Sequence, residues 1–537
     1  MSIDGMLAWL SRWSVRRPVV VVVLWLAAVA GSFTVGIGVF DRLVSDVGLV
    51  PGSESEHGYT LIADGGPEPV TLTAIARTAA DDPAVAAAVA ELRATPGVLT
   101  VADPLPSTVG GTAVLMRVYL DPGRNSGAAA ATVARRLGGI GPGVIVAGGP
   151  LTDDEFNTQA QADVQRAELL TTPVVLALLL IVFGGIVAAG LPLVVAVAGV
   201  GGTFAVLYAA SHLTDVSVYA VQVATMLSVG LAVDYGLLVV NRFREERAVD
   251  ADVPAAVTRT VATAGRTVLF SGLTVAAVLA GLLVFPEPFL RSMGLAGIGV
   301  TAVVVAAALT LLPALLALVG HRIRPATPAP ADAGRFARLA HAVQRRPLVT
   351  LLAAAGVMLV LALPALDLRL SQVDPRLLPT DTQTRQVHDA TVTHFPDLAR
   401  PDPVLIAVAA PADSATVTDL RARIAAVPHV TGVETGGSGA VTVLRAGLDV
   451  PADSSAARHV VDAVRRLDPP VDMAVTGATA MLVDYERTIT GHLPYAVAVI
   501  AAGTLALLFL FTGSVLLPVK AVATNVLSIG AALGAVV

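Results

Sequence analysis

Apolar residues in this chain run in nine long blocks, at 18–40, 169–189, 191–210, 218–240, 267–285, 294–319, 348–366, 493–511 and 515–537. A helix that crosses a bilayer needs about 20 such residues, so each block predicts one membrane span. Two polar stretches, 41–166 and 367–491, interrupt the series. Inside the first, apolar–polar alternation predicts strands at 70–76, 98–102, 113–120 and 144–147, with helices at 82–94 and 127–137. The second stretch predicts strands at 404–409, 430–434, 441–448 and 471–476, with helices at 415–427 and 455–467. Strand, helix, strand, strand, helix, strand is the ferredoxin-like split βαβ order. The fold class is therefore an α-helical polytopic membrane protein with two α+β ferredoxin-like domains, each polar stretch folding as one small two-layer domain.

The chain then divides into an N-terminal segment with the first span (1–40), a first α+β domain (41–167) and spans two to six (168–320). A basic linker (321–346), a seventh span (347–366), a second α+β domain (367–492) and spans eight and nine (493–537) follow. The first apolar block exceeds the ~7–15 residues of a signal-peptide core and is not followed by a small-residue cleavage site, so it is read as an uncleaved span. Arginines gather before that span (Arg12, Arg16, Arg17), between the fourth and fifth blocks (Arg242, Arg244, Arg247, Arg259, Arg266) and in the linker (Arg322, Arg324, Arg335, Arg338, Arg345, Arg346). Short basic loops stay on the cytoplasmic side, which puts the N-terminus in the cytoplasm and both polar stretches outside.

Landmarks recur at a nearly constant distance. Arg17-Pro18 returns as Arg346-Pro347 and Gly148 as Gly477, both 329 residues on, and Leu191-Pro192 returns as Leu517-Pro518, 326 residues on. One span, an outside domain and then several spans, given twice, is a parallel duplication of the kind found in some transporters.

Within the fourth block the run GLAVDYGLLVVNRFREE, residues 230–246, places an acid and a tyrosine in apolar surroundings. Asp234 lies roughly 12 Å of helix before Arg242, well inside the hydrocarbon. An ionised carboxylate there costs on the order of 2.5–3.5 kcal/mol on insertion scales. A simple pairing with a neighbouring helix could absorb that cost, but intramembrane acids that face a bundle interior usually lie on ion or proton paths, and Asp234 is read as a proton-loading site. Gly230, four residues earlier on the same face, leaves room for a partner helix. The Arg242/Arg244/Glu245/Glu246 cluster is read as a topology signal and helix-end ion pair, and Pro313 as a kink or end of the sixth helix.

Composition agrees with a membrane protein and removes other classes. Of 537 residues, 55% are hydrophobic and 14% charged, and the mean hydropathy is +0.75. No cysteine is present, which excludes disulfides, iron–sulfur clusters and thiol catalysis. Lys520 is the chain's one lysine and does not follow a glycine, so there is no Walker-type phosphate loop. No basic stripe points to nucleic acid. The nine histidines are scattered; His388 and His394 lack the i, i+4 spacing of a helical metal pair and are read as solvated loop positions. The GGSG run at 436–439 falls between two strands and reads as a hairpin turn, not a nucleophile elbow. Glycine runs at 199–202 and 294–299 read as helix-packing surfaces. No enzyme site, metal or cofactor is expected.

The Asp234-Tyr235 pair in its motif, the AGRTVLFSGLTV run at 264–275 and TLLPALLAL at 310–318 together resemble the MmpL family (mycobacterial membrane protein, large) of the resistance-nodulation-division superfamily, over essentially the whole chain. The resemblance implies twelve helices, two porter-like outside domains and proton-driven export of lipids, glycolipids or other hydrophobic molecules toward the envelope of a bacterial cell, with an actinobacterial-like composition. It implies that Asp234 takes and releases protons, that Tyr235 hydrogen-bonds within the relay, and that Ser271 and, less directly, Thr274 face them from the fifth helix; hydroxyls in membrane helices also bond back to their own backbone. Membrane lipids, hydrophobic cargo and protons are the expected partners, with accessory envelope proteins and a homo-oligomer left open. A non-transporting lipid receptor or scaffold, and an auxiliary of protein translocation, are the competing readings. The chain ends inside an apolar block before its second half yields an acid–tyrosine pair, whose place by the repeat is near position 560; the expectation is a fragment of a longer protein.

Overall fold

The computed structural model describes residues 3–44, 49–66, 69–110, 112–123, 125–138, 143–326, 335–367, 374–437 and 440–537. In chain order, helices α1 (Ile3–Arg16) and α2 (Pro18–Gly36) lead through the short strand β1 (Leu43–Val44) to α3 (Glu54–Asp64). Then come β2 (Val70–Ala76), α4 (Pro83–Arg93), β3 (Val98–Val101), β4 (Leu105–Pro106), β5 (Val114–Leu120), α5 (Ser126–Gly138), β6 (Ile145–Ala147) and the long α6 (Pro150–Phe183). Helix α7 (Ile186–Ala210), strand β7 (Val216–Ser217) and helices α8 (Val218–Val249), α9 (Val253–Thr260), α10 (Arg266–Ala280), α11 (Pro288–Leu309) and α12 (Leu311–Val319) complete the first half. The second half replays the order: α13 (Arg335–Arg345), α14 (Pro347–Ala362), α15 (Gln383–His394), β8 (Val404–Val408), α16 (Ala415–Ala425), β9 (Val430–Gly436), β10 (Thr442–Leu448), α17 (Ser455–Arg465), β11 (Met473–Thr476), α18 (Ala478–Thr512) and α19 (Leu516–Val536).

Two compact units result. One comprises Met1–Gly48, Pro173–Arg369 and Arg487–Val537; the other comprises Leu49–Thr172 and Leu370–Glu486. Among the described residues nine helical segments are long and apolar enough to cross a membrane, and the chain is a multi-pass membrane protein.

Small residues set the helix spacing in the first unit. A Cβ at Gly236 of α8 would lie 2.7 Å from Pro192 of α7, and one at Gly199 of α7 would overlap Ser228 of α8. Gly202 faces Val303, Gly297 faces Leu279 and Gly299 faces Val206, so both glycine runs are packing surfaces. Helix α18 packs on α10, where Phe270 and Phe511 rings lie 4.7 Å apart and Arg266 covers both.

Several boundaries differ from those expected. The break between the second and third spans falls at Gly184, not near residue 190: Gly184 adopts φ +64 and its N–H bonds the Leu180 carbonyl at 2.8 Å, a left-handed helix terminus. Gly513, 329 residues on, does the same with φ +65 and a 2.8 Å bond to Phe509. The link at 241–266 is almost wholly helical, because α8 outruns its apolar block and α9 restarts after Asp252, whose carboxylate caps Ala255. The sixth span is split at Thr310 (φ −127, ψ −57), three residues before Pro313; proline's ring crowds the carbonyl four residues back, here that of Leu309.

Apart from the short parallel pair β1–β7, the sheets lie in the second unit, ordered β3–β5–β2–β6, with β4 also on β5, and β11–β8–β10–β9, all antiparallel. This is the ferredoxin-like order expected, and each sheet buries one face under its two helices. The turn expected at 436–439 includes residues outside those described; β9 and β10 pair as far as Gly436 and Val443.

The two polar stretches are nevertheless not separate domains, because two unexpected helices are exchanged. Helix α3 precedes the first sheet yet lies on the second: Ile62 packs with Ala407 and Val443, and a Cβ at Gly58 would lie 2.8 Å from Thr476. Helix α15 precedes the second sheet yet lies on the first, with Val387 and Phe395 against Ile75, Leu115 and Ala147. His388 and His394 are therefore helical, not loop, residues.

The polar anchors of the exchange repeat at the sequence offset. Val475 N–H donates to Glu54 Oε1 at 3.0 Å, and Val146 N–H donates to Gln383 Oε1 at 3.1 Å. Asp484 accepts from the Ser55 N–H at 3.0 Å, and Glu155 from the Thr384 N–H at 2.7 Å, so each long helix carries an acid that caps an exchanged helix. Every one of these residues has its counterpart 329 positions away.

Candidate functional site

Helix α8 starts where Ser217 Oγ accepts from the Tyr219 N–H at 3.3 Å. Ala220, Ala224, Ser228 and Ala232, then Tyr235, Gly236, Val239, Val240 and Phe243, form its buried face. Spacing of three and four keeps those positions on one side, which packs on α7 and α11. Met226, Gly230, Asp234 and Leu238, four apart, form a stripe on the other side that is exposed.

Asp234 and Tyr235 therefore point apart. Tyr235 is 2% exposed and reaches across to α10, where Ser271 is the polar neighbour of its hydroxyl, although no hydrogen bond closes between them. Glycine at residue 272 lets α10 approach α11 beside that hydroxyl: a Cβ there would collide with Val305 of α11, while it would lie in ordinary contact, 3.6 Å, with the Tyr235 oxygen. Thr274 does not join the pair; its hydroxyl donates to the Phe270 carbonyl at 2.8 Å. Asp234 does not face the interior formed by the described helices but lies in the exposed stripe, and a Cβ at Gly230 would meet nothing within 4 Å, so no described helix packs there.

Gly272 was not singled out from the sequence. Its signal is a glycine set between Ser271 and Thr274, on the helix opposite an acid–tyrosine pair. Gly272→Val is expected to destabilise the protein by about 1–3 kcal/mol through overpacking against Val305, read as a lowered unfolding temperature in detergent.

At the end of α8 the Arg/Glu cluster is an ion-pair network. Glu246 is held by Arg242 at 2.6 Å and Arg259 at 2.8 Å, and Arg242 also reaches Glu245 at 2.9 Å. Arg244 donates to the Val182 carbonyl in the last turn of α6 and to the Arg324 carbonyl, each at 3.2 Å. These bonds tie helix ends together.

The unit with the sheets holds a cavity of about 770 Å³ whose polar lining includes Asp374, Arg376, His388, Arg400, Asp402 and Asp453. The Arg376 guanidinium, 2.6 Å away, holds the Asp374 carboxyl down to about 2, whereas loss of hydration raises that of Asp402. A group with a depressed value stabilises the fold above its unfolded value of about 3.9 and loses that contribution as pH falls through the folded one. Protease access to the 374–377 segment is expected to rise between about pH 4 and pH 2, and Arg376→Gln to move that rise toward pH 4. A second cavity, about 420 Å³, lies between α15 and the first sheet, with Arg77, Asp389 and His394 around Ile75, Ala113 and Ile145. Among the described residues no group of three or more His, Cys, Asp or Glu side chains is placed to hold a metal.

The sequence profile of the MMPL family matches residues 68–350 and 438–537. A membrane protein of Streptomyces coelicolor (SCO6666) is 48% identical over 99% of this chain and 77% of its own length. The trehalose monomycolate exporter MmpL3 of Mycobacterium tuberculosis is 29% identical over 69% of this chain and 45% of its own. The mycolic acid-containing lipids exporter MmpL11 of Mycolicibacterium smegmatis is 33% identical over 71% of this chain and 42% of its own. The chain thus spans less than half the length of the two exporters.

Proposed function

Because the chain belongs to the MMPL family of membrane proteins, we propose that it is the proton-coupled part of a transporter that moves lipids or other hydrophobic molecules toward the cell envelope. The observation that carries the proposal is the pairing, on adjacent residues of one membrane helix, of an acid with no described helix over it and a tyrosine buried against Ser271. In this reading Asp234 binds and releases the proton, Tyr235 and Ser271 relay or orient it, and Gly230 leaves the stripe open to an apposing helix. Thr274, already bonded to its own backbone, is the weakest member. The arginine-rich helix ends face the cytoplasm and the two α+β stretches face outward, where they act as the porter. Lipidic cargo follows from the exporters named above; accessory envelope proteins or a second copy are further partners.

One proton crossing about 100 mV releases roughly 2.3 kcal/mol, enough to bias two arrangements of a bundle more than tenfold. The test is proton flux: proteoliposomes holding the protein, with a pH dye inside, should acidify or alkalinise in step with lipid transfer, and both should stop with an ionophore. Lipid binding without coupled flux would leave a receptor or scaffold as the better description.

A further inference from the structure

We infer that the junction of α1, α2 and the α11–α12 break is a binding site for an anionic phospholipid, with one acyl chain in an apolar groove and the headgroup phosphate on Arg16 and Arg17. The groove, about 240 Å³, is lined by Trp13, Val21, Leu24, Trp25, Ala28 and Thr310. Two of its polar side-chain atoms are already paired with protein: Trp25 Nε1 donates to Thr310 Oγ1 at 2.9 Å, and that hydroxyl donates to the Ala306 carbonyl at 2.6 Å. The groove therefore presents carbon and asks for an apolar occupant.

Its position indicates the occupant. Leu24 is 53% exposed on a helix whose length and hydropathy fit a bilayer crossing, so the groove opens where acyl chains lie. Trp9 and Trp13 stack with parallel rings 6.4 Å apart just before that helix, the residue type that marks the membrane–water interface. Arg16 follows Trp13 by three positions on the same face, and Arg17 lies one turn before Val21, whose N–H bonds its carbonyl at 3.2 Å. Both guanidinium groups are exposed, and among the described residues neither meets a carboxylate. Two unpaired arginines above an apolar groove at the interface match a phosphate joined to an acyl chain. This inference does not depend on the transport reading.

The chain's three tryptophans, Trp9, Trp13 and Trp25, all belong to this junction, so intrinsic fluorescence reports on it alone. The full chain is reconstituted in phosphatidylcholine vesicles containing acyl-brominated phosphatidylglycerol or acyl-brominated phosphatidylcholine at matched mole fractions. Half-maximal quenching is expected at about fivefold less brominated phosphatidylglycerol than brominated phosphatidylcholine. The double variant Arg16→Gln/Arg17→Gln should lose that preference, and Ala28→Phe, which fills the groove, should weaken quenching by the brominated glycerol lipid toward the choline level. Equal quenching by the two lipids, a preference that survives the double variant, or quenching unchanged in Ala28→Phe overturns the inference.

Discussion

Asp234→Asn is expected to abolish gradient-driven export while leaving the fold intact. The substitution keeps the shape of the side chain and removes its titration. With about 2.3 kcal/mol no longer available per proton per 100 mV, the bias between transport states falls roughly fifty-fold. Stability should change little, because residue 234 lies in the exposed stripe of α8 and packs on no described helix. Export and thermal unfolding are measured together on the same preparation. Tyr235→Phe separates coupling from folding in the same direction: the lost hydroxyl is buried and closes no hydrogen bond among the described residues, so its removal is close to neutral for stability, while proton-linked transport slows. An Asp234→Asn protein that exports at the full rate under a gradient sinks the proton-loading role of Asp234.

The second large effect is one of stability and belongs to the exchanged helices. Arg465 of α17, with a side chain 9% exposed, grips Asp484 through two bonds of 2.6 and 2.9 Å and reaches Glu54 of α3 at 3.0 Å. Asp484 also caps α3 at Ser55. Arg465→Ala leaves two carboxylates without their cation, one of them buried, and is expected to cost about 3–5 kcal/mol. Arg136 occupies the equivalent place in the first half, and its partner there, Glu91, is 60% exposed. Arg136→Ala should cost at most about 1 kcal/mol. Pulse proteolysis in denaturant reads both; similar losses would mean that the buried cluster does not hold the exchange. Since each exchanged helix anchors on the other half's sheet, the Arg465 variant should loosen both sheets together.

Legibility followed the range of the interactions. Strands such as Val70–Ala76 and Thr442–Leu448 could be read because one face of each carries apolar residues at a period of two, Leu72, Ala74 and Ala76 in the first and Leu444, Ala446 and Leu448 in the second. The repeat was visible in Arg-Pro and Gly landmarks, and the structure extends it to the capping acids Glu155 and Asp484, which carry no local signal of their own. Helices α3 and α15 were not legible: each buries two or three residues of eleven or twelve, too few for an apolar stripe, and what holds them is a sheet hundreds of residues away. Likewise Asp234 and Tyr235 stood out as an acid and a phenol in an apolar run, but which of them is covered depends on where α7, α10 and α11 lie.

What the sequence determined by itself is what a residue does in its own surroundings: apolar length that demands a bilayer, alternation that demands a half-buried sheet, a basic end that resists crossing, and a charge whose insertion cost requires a use. The tertiary structure decided pairings. It set Tyr235 against Ser271 and left Asp234 open, turned Thr274 back onto its own helix, exchanged α3 and α15, and joined Trp25 to Thr310 in the wall of one groove. Such pairings depend on which small residues let two helices approach, at Gly199, Gly236 and Gly272, and close approach is a property of two surfaces that neither segment of sequence carries alone.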